Sequence, residues 1–256
     1  MLVAFTASLP TMRSVLLLFL VPGLAAAAPP EGYVALTLSR SPFCLIGSTV
    51  RVSVAPGMAM VEGQYEYKYV PRFDHSQAAA TVAFEFAVLV PRDTDSVGDV
   101  SDAMQPKLHL GSVDYTPDDL DVLKQPAGVT LAFVPDNRKV VLLVFDIPRA
   151  LLRERCSLTL TYFQPSYRVA GQEVAAYLPL LPDFEGLKNE LLFSRDDFTV
   201  ELEALGHVRL HRLSTNAVVA QEAPDKLTVH PVDREIIAVA VEPAGAAAAK
   251  PAAPAP

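Results

Sequence analysis

The sequence predicts an all-β fold, an antiparallel, immunoglobulin-like β-sandwich with few short helices. Three observations lead to this prediction. Apolar and polar residues alternate with a period of two in several runs, as on strands with one face in water. Residues 140–145 are all apolar, which is typical of a strand buried on both faces. Prolines stand at the ends of strand-like runs, where no N–H is needed for a sheet ladder.

The N-terminus predicts a cleaved secretory signal peptide over residues 1–27. Arg13 precedes the apolar run 14–21, and the alanines that follow supply the small residues of a cleavage site. The apolar core is shorter than the roughly 20 residues that a membrane-spanning helix needs, and Pro22-Gly23 interrupts it. We therefore expect a periplasmic or secreted protein that retains no membrane span after cleavage.

The charge balance is acidic, with 21 Lys and Arg against 29 Asp and Glu and a net charge of −8. A nucleic acid or an anionic membrane surface is recognised by clustered basic residues. The composition therefore disfavours both classes of partner, and for an exported protein we expect an envelope or secreted protein as the partner.

The first predicted strand pair is rich in aromatic residues. Tyr65, Tyr67 and Tyr69 share one face of a strand, and the run 81–90 alternates in the same way. We interpret the two runs as a hairpin joined by a longer loop over residues 72–80. The three tyrosines are a candidate surface for stacking on sugars. The alternative is that they pack against phenylalanines of the second run.

The second predicted pair consists of residues 128–134 and 139–145, with the turn residues Pro, Asp and Asn between them. Further strands are predicted at residues 157–163, 167–170, 173–178, 198–205, 207–213, 226–229 and 236–241.

Helix signals are few. Thr116 and Pro117, followed by two acids, are typical of the start of a short helix of 8–9 residues. Residues 184–191 are a second short helical candidate.

The chain is long enough for two packed sandwich modules, residues 30–105 and 128–243, joined by a connecting segment 106–127 that contains the short helix. One large sandwich is the alternative. Residues 244–256 contain almost only Ala and Pro and are predicted to be a disordered tail.

Two cysteines, Cys44 and Cys156, lie in the predicted mature chain. An even number of cysteines in an oxidising compartment predicts one disulfide bond. The alternative is a pair of buried free thiols that behave as small apolar side chains.

An acidic segment after the first strand pair is a candidate calcium loop. Asp93, Asp95 and Asp99 have the spacing of carboxylates in an EF-hand. Val97 and Met104 occupy two ligand positions of that loop, so the sequence excludes a true EF-hand. An irregular calcium site remains as an alternative to a solvated acidic loop, and no other cofactor is predicted.

Two further polar pairs have surface interpretations. His207 and His211 would lie about 13 Å apart on a strand and could not bind one metal ion. Glu201 and Glu203 share one strand face, where exposed charge is the ordinary role of such residues.

The sequence contains no G-x-S-x-G, H-E-x-x-H or phosphate-binding glycine motif. We therefore predict a non-enzymatic exported protein that acts by protein–protein contact in the periplasm or cell envelope. The alternative is an exported module that binds a glycan or calcium. Tyr177 and Leu178, in an apolar stretch broken by proline, complete the candidate binding surface.

Overall fold

A computed structural model describes residues 41–74, 79–122, 137–181, 194–213, 217–231 and 236–244. Four predicted segments lie outside these ranges: the signal peptide 1–27, the strand 128–134, the helix 184–191 and the tail beyond Ala244. Within the described residues, no helix is both long and apolar enough to cross a membrane.

The described residues are mostly strand, which confirms the all-β class with few short helices. The strands are β1 (Phe43–Ala55), β2 (Met58–Tyr69), β3 (Thr81–Pro91), β4 (Lys107–Leu110), β5 (Val113–Tyr115), β6 (Asp119–Val122), β7 (Arg138–Pro148), β8 (Arg155–Pro165), β9 (Tyr167–Val169), β10 (Gln172–Tyr177), β11 (Phe198–Ala204), β12 (Val208–Arg212), β13 (Ala217–Ala223), β14 (Lys226–Pro231) and β15 (Ile237–Pro243). The helix α1 covers Val97–Met104, and short 3₁₀ turns cover Pro71–Phe73, Arg149–Leu151 and Arg195–Asp197.

The strands form three sheets. The large sheet has the order β13-β14-β11-β1-β2-β8-β4-β5, and the two smaller sheets have the orders β12-β15-β10-β9 and β3-β7-β6. The described pairings are antiparallel except for β1 and β11, which run parallel. Side chains from all three sheets meet in one large apolar core. This arrangement is sandwich-like, while the immunoglobulin-like type stays a prediction.

The two runs that the sequence analysis joined as a hairpin belong to different sheets. β2 pairs with β1 and β8, whereas β3 pairs with β7. The predicted aromatic contacts nevertheless form, because the two sheets face each other across the core. The rings of Tyr65 and Phe86, and those of Tyr67 and Phe84, meet edge-to-face with centroids 5.0 Å apart. The predicted hairpin is therefore wrong, and the predicted packing of the tyrosines against phenylalanines is confirmed.

The predicted two-sided burial of β7 is confirmed. Val141, Leu143 and Phe145 point into the large core. Val140 and Leu142 point the other way, into a second apolar cluster shared with β10 and β15. A strand of this kind needs apolar residues at consecutive positions, since neither of its faces meets water.

Strands on either side of the segment 106–127 pair with each other. β2 lies beside β8 and β1 beside β11, so residues of the ranges 30–105 and 128–243 contribute to one sheet and one core. The connecting segment itself contributes β4 and β5 to an edge of that sheet.

The predicted helix after Thr116 is wrong, because Asp119–Val122 forms β6 beside β7. The acids that resembled a first helical turn bind extended backbone instead. The Asp118 carboxylate accepts the N–H of Asp146 at 2.8 Å, and the Asp119 carboxylate accepts the N–H of Leu120 at 2.8 Å. Short carboxylates serve either role, so the local pattern could not separate them.

The described α-helix, α1, lies earlier in the chain. Ser96 is its N-cap and accepts the N–H of Asp99, while the Asp99 carboxylate accepts the N–H of Ser96. This reciprocal capping box satisfies backbone donors that a helix start leaves free. Val100 and Met104 fix the helix to the protein through their buried side chains.

Candidate functional site

The candidate aromatic surface is part of the core. Tyr65, Tyr67, Tyr177 and Leu178 are only 2%, 5%, 2% and 4% exposed. The hydroxyls of Tyr65 and Tyr177 lie 3.1 Å apart, so the buried pair satisfies part of its own hydrogen bonding. The predicted binding surface is therefore wrong, because rings held between two sheets are closed to a sugar.

Tyr69, the third tyrosine of that strand face, has a structural partner. Its hydroxyl donates to the Asp74 carboxylate at 2.6 Å, and Arg149 binds the same carboxylate through two nitrogens at 2.7 and 3.1 Å. Asp74 is buried, and a buried carboxylate needs such charge-assisted partners. This cluster ties the end of β2 to the turn after β7.

The predicted calcium loop does not form. The Asp99 carboxylate accepts the backbone N–H groups of Asp95 and Ser96, which occupies it with the helix cap. Hydrogen bonding with the Ser96 side chain, and then with the Asp95 N–H, lowers the pKa of Asp99. Asp95 pairs with Lys139 at 3.0 Å, and Asp93 is exposed. Asp95 and Asp99 thus have local partners in place of a common ion.

The predicted disulfide is also absent, since Cys44 and Cys156 are both free. Cys44 is opposite Lys68 and points away from the large core, whereas Cys156 is opposite Tyr67 and points toward it. β2 lies between the two cysteine strands, which puts their backbones about 9–10 Å apart. A disulfide requires Cα atoms within about 7 Å and side chains that face each other. The alternative of two free thiols is the one that the structure contains.

The predicted surface pairs are exposed polar residues as expected. His207 is exposed, and His211 pairs with Glu242 at 3.2 Å. Glu201 pairs with Lys226 at 3.5 Å, and Glu203 is exposed.

A different polar cluster lies on the outer face of the large sheet, the face that points away from the core. β4 and β5 form a hairpin at the sheet edge, with a two-residue turn in which Gly111 adopts a positive φ of 63°. Glycine tolerates that conformation without strain, so the turn closes tightly. The register puts His109 directly opposite Asp114, and His109 Nδ1 lies 2.7 Å from Asp114 Oδ1.

The third member of the cluster comes from β8, the neighbour of β4. Thr161 Oγ1 lies 3.5 Å from His109 Nε2. Thr161, His109 and Asp114 therefore form one chain of polar contacts across three strands, which we call the outer triad. His109 and Asp114 side chains are 30% and 59% exposed, so a ligand in solution can reach them.

The Asp114 carboxylate decides which ring nitrogen of His109 carries the proton. An ionised carboxylate only accepts hydrogen bonds, so Nδ1 of His109 must be the donor. In the neutral ring Nε2 is then the acceptor, and the Thr161 hydroxyl donates to it. This is the order of roles found in a nucleophile, a general base and a carboxylate that orients the base.

Two charged residues flank Thr161 on the same face. Lys107 is opposite it on β4, and Glu62 is opposite it on β2. Directly opposed residues on neighbouring strands have Cβ atoms about 4.5–5.5 Å apart. The Lys107 ammonium can therefore approach an atom bound to Thr161 Oγ1. The Glu62 carboxylate lies on the other side of Thr161 and repels a negative charge there.

A second Thr–His pair in the same sheet lacks this arrangement. His230 Nδ1 lies 3.0 Å from the carbonyl oxygen of Phe198 and 3.4 Å from Thr199 Oγ1. A carbonyl oxygen only accepts, so this nitrogen carries the proton and cannot remove one from Thr199. Thr199 and His230 therefore serve as a matched control for the outer triad.

The sequence analysis did not identify the outer triad. Thr161 is 52 positions from His109, so no local motif joins them. One signal was present: Gly111 stands between two short alternating runs and predicts a hairpin that places His109 opposite Asp114. The approach of β8 to that hairpin has no counterpart in the local pattern.

No family model matches the sequence, and no curated protein matches it. Among solved structures, native yeast leukotriene A4 hydrolase matches with a TM-score of 0.40 and 10% identity over 84% of this chain and 31% of its own length. Aminopeptidase A of Legionella pneumophila matches with a TM-score of 0.34 and 12% identity, over 82% and 22% respectively. The M1 zinc metallopeptidase of Deinococcus radiodurans matches with a TM-score of 0.32 and 12% identity, over 80% and 43%.

The chain thus spans less than half the length of these structures. They are a hydrolase and two peptidases, whereas the sequence analysis predicted a non-enzymatic protein that acts by protein–protein contact, or alternatively by binding a glycan or calcium. Within the described ranges, no three His, Cys, Asp or Glu side chains are grouped to hold a metal ion.

Proposed function

We propose that this protein is a hydrolase of carboxylic esters and that the outer triad is its active site. Thr161 is the nucleophile, His109 the general base and Asp114 the residue that positions the base. The observation that carries the proposal is the continuous contact from Thr161 Oγ1 to His109 Nε2 at 3.5 Å and from His109 Nδ1 to Asp114 at 2.7 Å. The first contact is long for a hydrogen bond, and such contacts tighten when substrate binds.

In the first half-reaction, Thr161 Oγ1 attacks the carbonyl carbon of the ester while its proton passes to His109 Nε2. The bond between the carbonyl carbon and the alcohol oxygen then breaks, and His109 returns the proton to the leaving alcohol. The products are a free alcohol and an acyl group bound to Thr161. Asp114 stabilises the imidazolium that exists between these two proton transfers.

In the second half-reaction, water takes the place of the alcohol. His109 removes a proton from the water molecule, whose oxygen attacks the acyl carbon. The bond to Thr161 Oγ1 breaks, and the proton returns from His109 to that oxygen. The carboxylic acid leaves, and the triad regains its starting state.

Lys107 supports the negative charge that develops on the carbonyl oxygen. It is opposite Thr161 in the register, and its side-chain ammonium is a hydrogen-bond donor that takes no part in the backbone ladder. Loss of one such donor in an active site lowers a rate by about 10²–10³-fold. An exposed ammonium is expected to contribute less, because water screens it.

We propose further that the protein acts in the periplasm or outside the cell. Support comes from the predicted signal peptide over residues 1–27, with Arg13 ahead of an apolar run and a small-residue cleavage site. Esters in that compartment would be its substrates.

The test is hydrolysis of p-nitrophenyl acetate by the purified protein and its variants. We expect Thr161→Ala and His109→Gln to reduce the rate to the uncatalysed level. Asp114→Asn should lower it by about 10²–10⁴-fold, because the amide no longer enforces the required tautomer. The matched controls Thr199→Ala and His230→Gln should retain the parent rate. An equal rate for Thr161→Ala and the parent protein would overturn the proposal.

Intact-mass spectrometry supplies a second measurement. Brief incubation with the same ester should add one acetyl group, which peptide mapping should locate on Thr161. An acetyl group on Lys107 with none on Thr161 would show direct acylation of an amine and would contradict the proposed nucleophile.

A further inference from the structure

An exposed apolar patch lies next to the outer triad. Met58 and Met60 of β2 point away from the core and are 45% and 40% exposed, so two large apolar side chains lie side by side at the surface. Both are on the outer face of the large sheet. Exposed apolar groups that adjoin polar side chains are typical of binding surfaces.

The register places this patch directly beside the nucleophile. Phe163 follows Thr161 by two residues on β8 and therefore points to the same face at a distance of about 7 Å. Met60 is opposite Phe163, and Met58 is opposite Pro165. The half-buried Phe163 and Pro165 thus extend the surface of the two methionines into one strip.

The outer face is polar on the other side of Thr161. Thr159 stands two residues before Thr161 and is opposite His109 on one side and Gln64 on the other. An apolar group bound to Thr161 therefore has one favourable direction, along β8 toward Pro165. The four residue steps from Thr161 to Pro165 span about 13 Å, enough for an acyl chain of medium length.

The charges beside Thr161 restrict the substrate as well. Glu62 is opposite Thr161 and adjacent on β2 to the row that contains Met60. Because the strip runs between β8 and β2, a negatively charged acyl group on it would lie on the Glu62 side of Thr161, away from Lys107 on β4, and like charges repel. The acyl chain that fits is neutral and apolar.

We propose that Met58, Met60, Phe163 and Pro165 bind the acyl chain of a neutral, medium-chain ester whose carbonyl carbon lies at Thr161. This inference rests on the proposed function and adds its substrate class. The occupant is the substrate's own acyl chain because the strip begins at the nucleophile and continues away from it in a single direction.

The first test compares kcat/KM for p-nitrophenyl acetate, butyrate and octanoate. We expect octanoate to exceed acetate by about 10-fold or more, since each methylene that leaves water favours binding. Met60→Ser and Met58→Ser should remove most of that preference. Val218→Ser is the matched control: Val218 is 57% exposed on β13, at the other edge of the same sheet, and its loss should leave the preference unchanged.

The second test measures binding without catalysis. Isothermal titration with octanamide, a neutral probe, should show binding to Thr161→Ala and much weaker binding to the double variant Thr161→Ala/Met60→Ser. Thr161-dependent acetate hydrolysis with no chain-length preference and no octanamide binding would overturn this inference and leave the proposed function standing. Octanamide binding that requires Met60, together with hydrolysis that does not require Thr161, would overturn the proposed function and the placement of the ester carbonyl at Thr161, and would leave only the apolar binding strip standing.

Discussion

The two faces of β8 differ in what their residues do. Leu158, Leu160 and Tyr162 point inward and are 0%, 1% and 2% exposed, while Thr159 and Thr161 alternate with them and point outward. The inward residues contribute to the core that joins the three sheets. The outward residues contact His109 and other polar groups. One strand thus supplies the core and the candidate active site from adjacent positions, because successive side chains point to opposite faces.

The comparison shows which face of the sheet can hold charged, reactive side chains. The inner face holds polar groups in arrangements such as the Tyr65–Tyr177 pair, whose hydroxyls lie 3.1 Å apart. A charged pair such as His109 and Asp114 would lose its hydration there, a loss of several kcal/mol per ion. The outer face imposes no such loss and lets reactive groups meet a ligand.

The largest expected effect that would test this comparison is on stability. Leu160→Ala should lower the free energy of unfolding by about 2–5 kcal/mol, because it leaves a cavity in the core. Thr159→Ala, the adjacent outward residue, should change it by less than about 0.5 kcal/mol. Urea unfolding followed by circular dichroism measures both. Equal losses for the two variants would show that the outer face is also part of a packed interface.

A smaller effect is expected at alkaline pH. Burial raises the pKa of Tyr65 from 10.0 to about 12, and burial also raises the pKa values of Tyr67, Tyr162 and Tyr177. The unfolded chain therefore releases these protons at lower pH than the folded one, so stability is full below pH 10 and is lost as pH rises toward 12.

Tyrosinate absorbance during a pH titration measures this effect. The inward tyrosines should ionise together with unfolding, as judged by circular dichroism at the same pH. Ionisation near pH 10 in a protein that keeps its folded spectrum would place these rings in water and contradict their position on the inner face.

The smallest expected effect concerns the cysteines. Burial raises the pKa of Cys44 and of Cys156 from 9.0 to about 11. At pH 8 the thiolate fraction of each cysteine is therefore about 100-fold lower than that of an exposed cysteine. Alkylation by iodoacetamide should be slower by a similar factor. Mild oxidation should leave the Tm unchanged, because the two thiols are on opposite faces of the sheet. Protein unfolded in urea is the control, and both cysteines should react there. A Tm that rises on oxidation would require a disulfide and a different strand register.

Local patterns predicted individual strands well and their partners poorly. The alternation around Tyr65 and Tyr67 identified β2, and the apolar run at 140–145 identified a strand buried on both faces. The same patterns assigned β2 to a hairpin with β3, although β8 is its neighbour. Proximity in the sequence favours a hairpin, but the partner of a strand is chosen by the packing of the whole sheet.

Of the outer triad, only the contact between His109 and Asp114 could be predicted from the sequence. Gly111 between two short runs brings His109 opposite Asp114, a contact that a hairpin produces by itself. The predicted calcium loop and disulfide were wrong for a related reason. Asp99 was taken for a metal ligand but caps a helix, and the direction in which Cys44 points depends on its register with β2.

The sequence by itself determined the all-β class, the alternation of faces along strands such as β2 and the burial of β7 on both sides. These properties follow from the period of side chains along one strand, which is local. Only the tertiary structure decided that β2 lies beside β8, that the cysteines point apart and that Thr161 meets His109. Such pairings join positions far apart in the chain, where the register is set by burying one face of each strand against the same core.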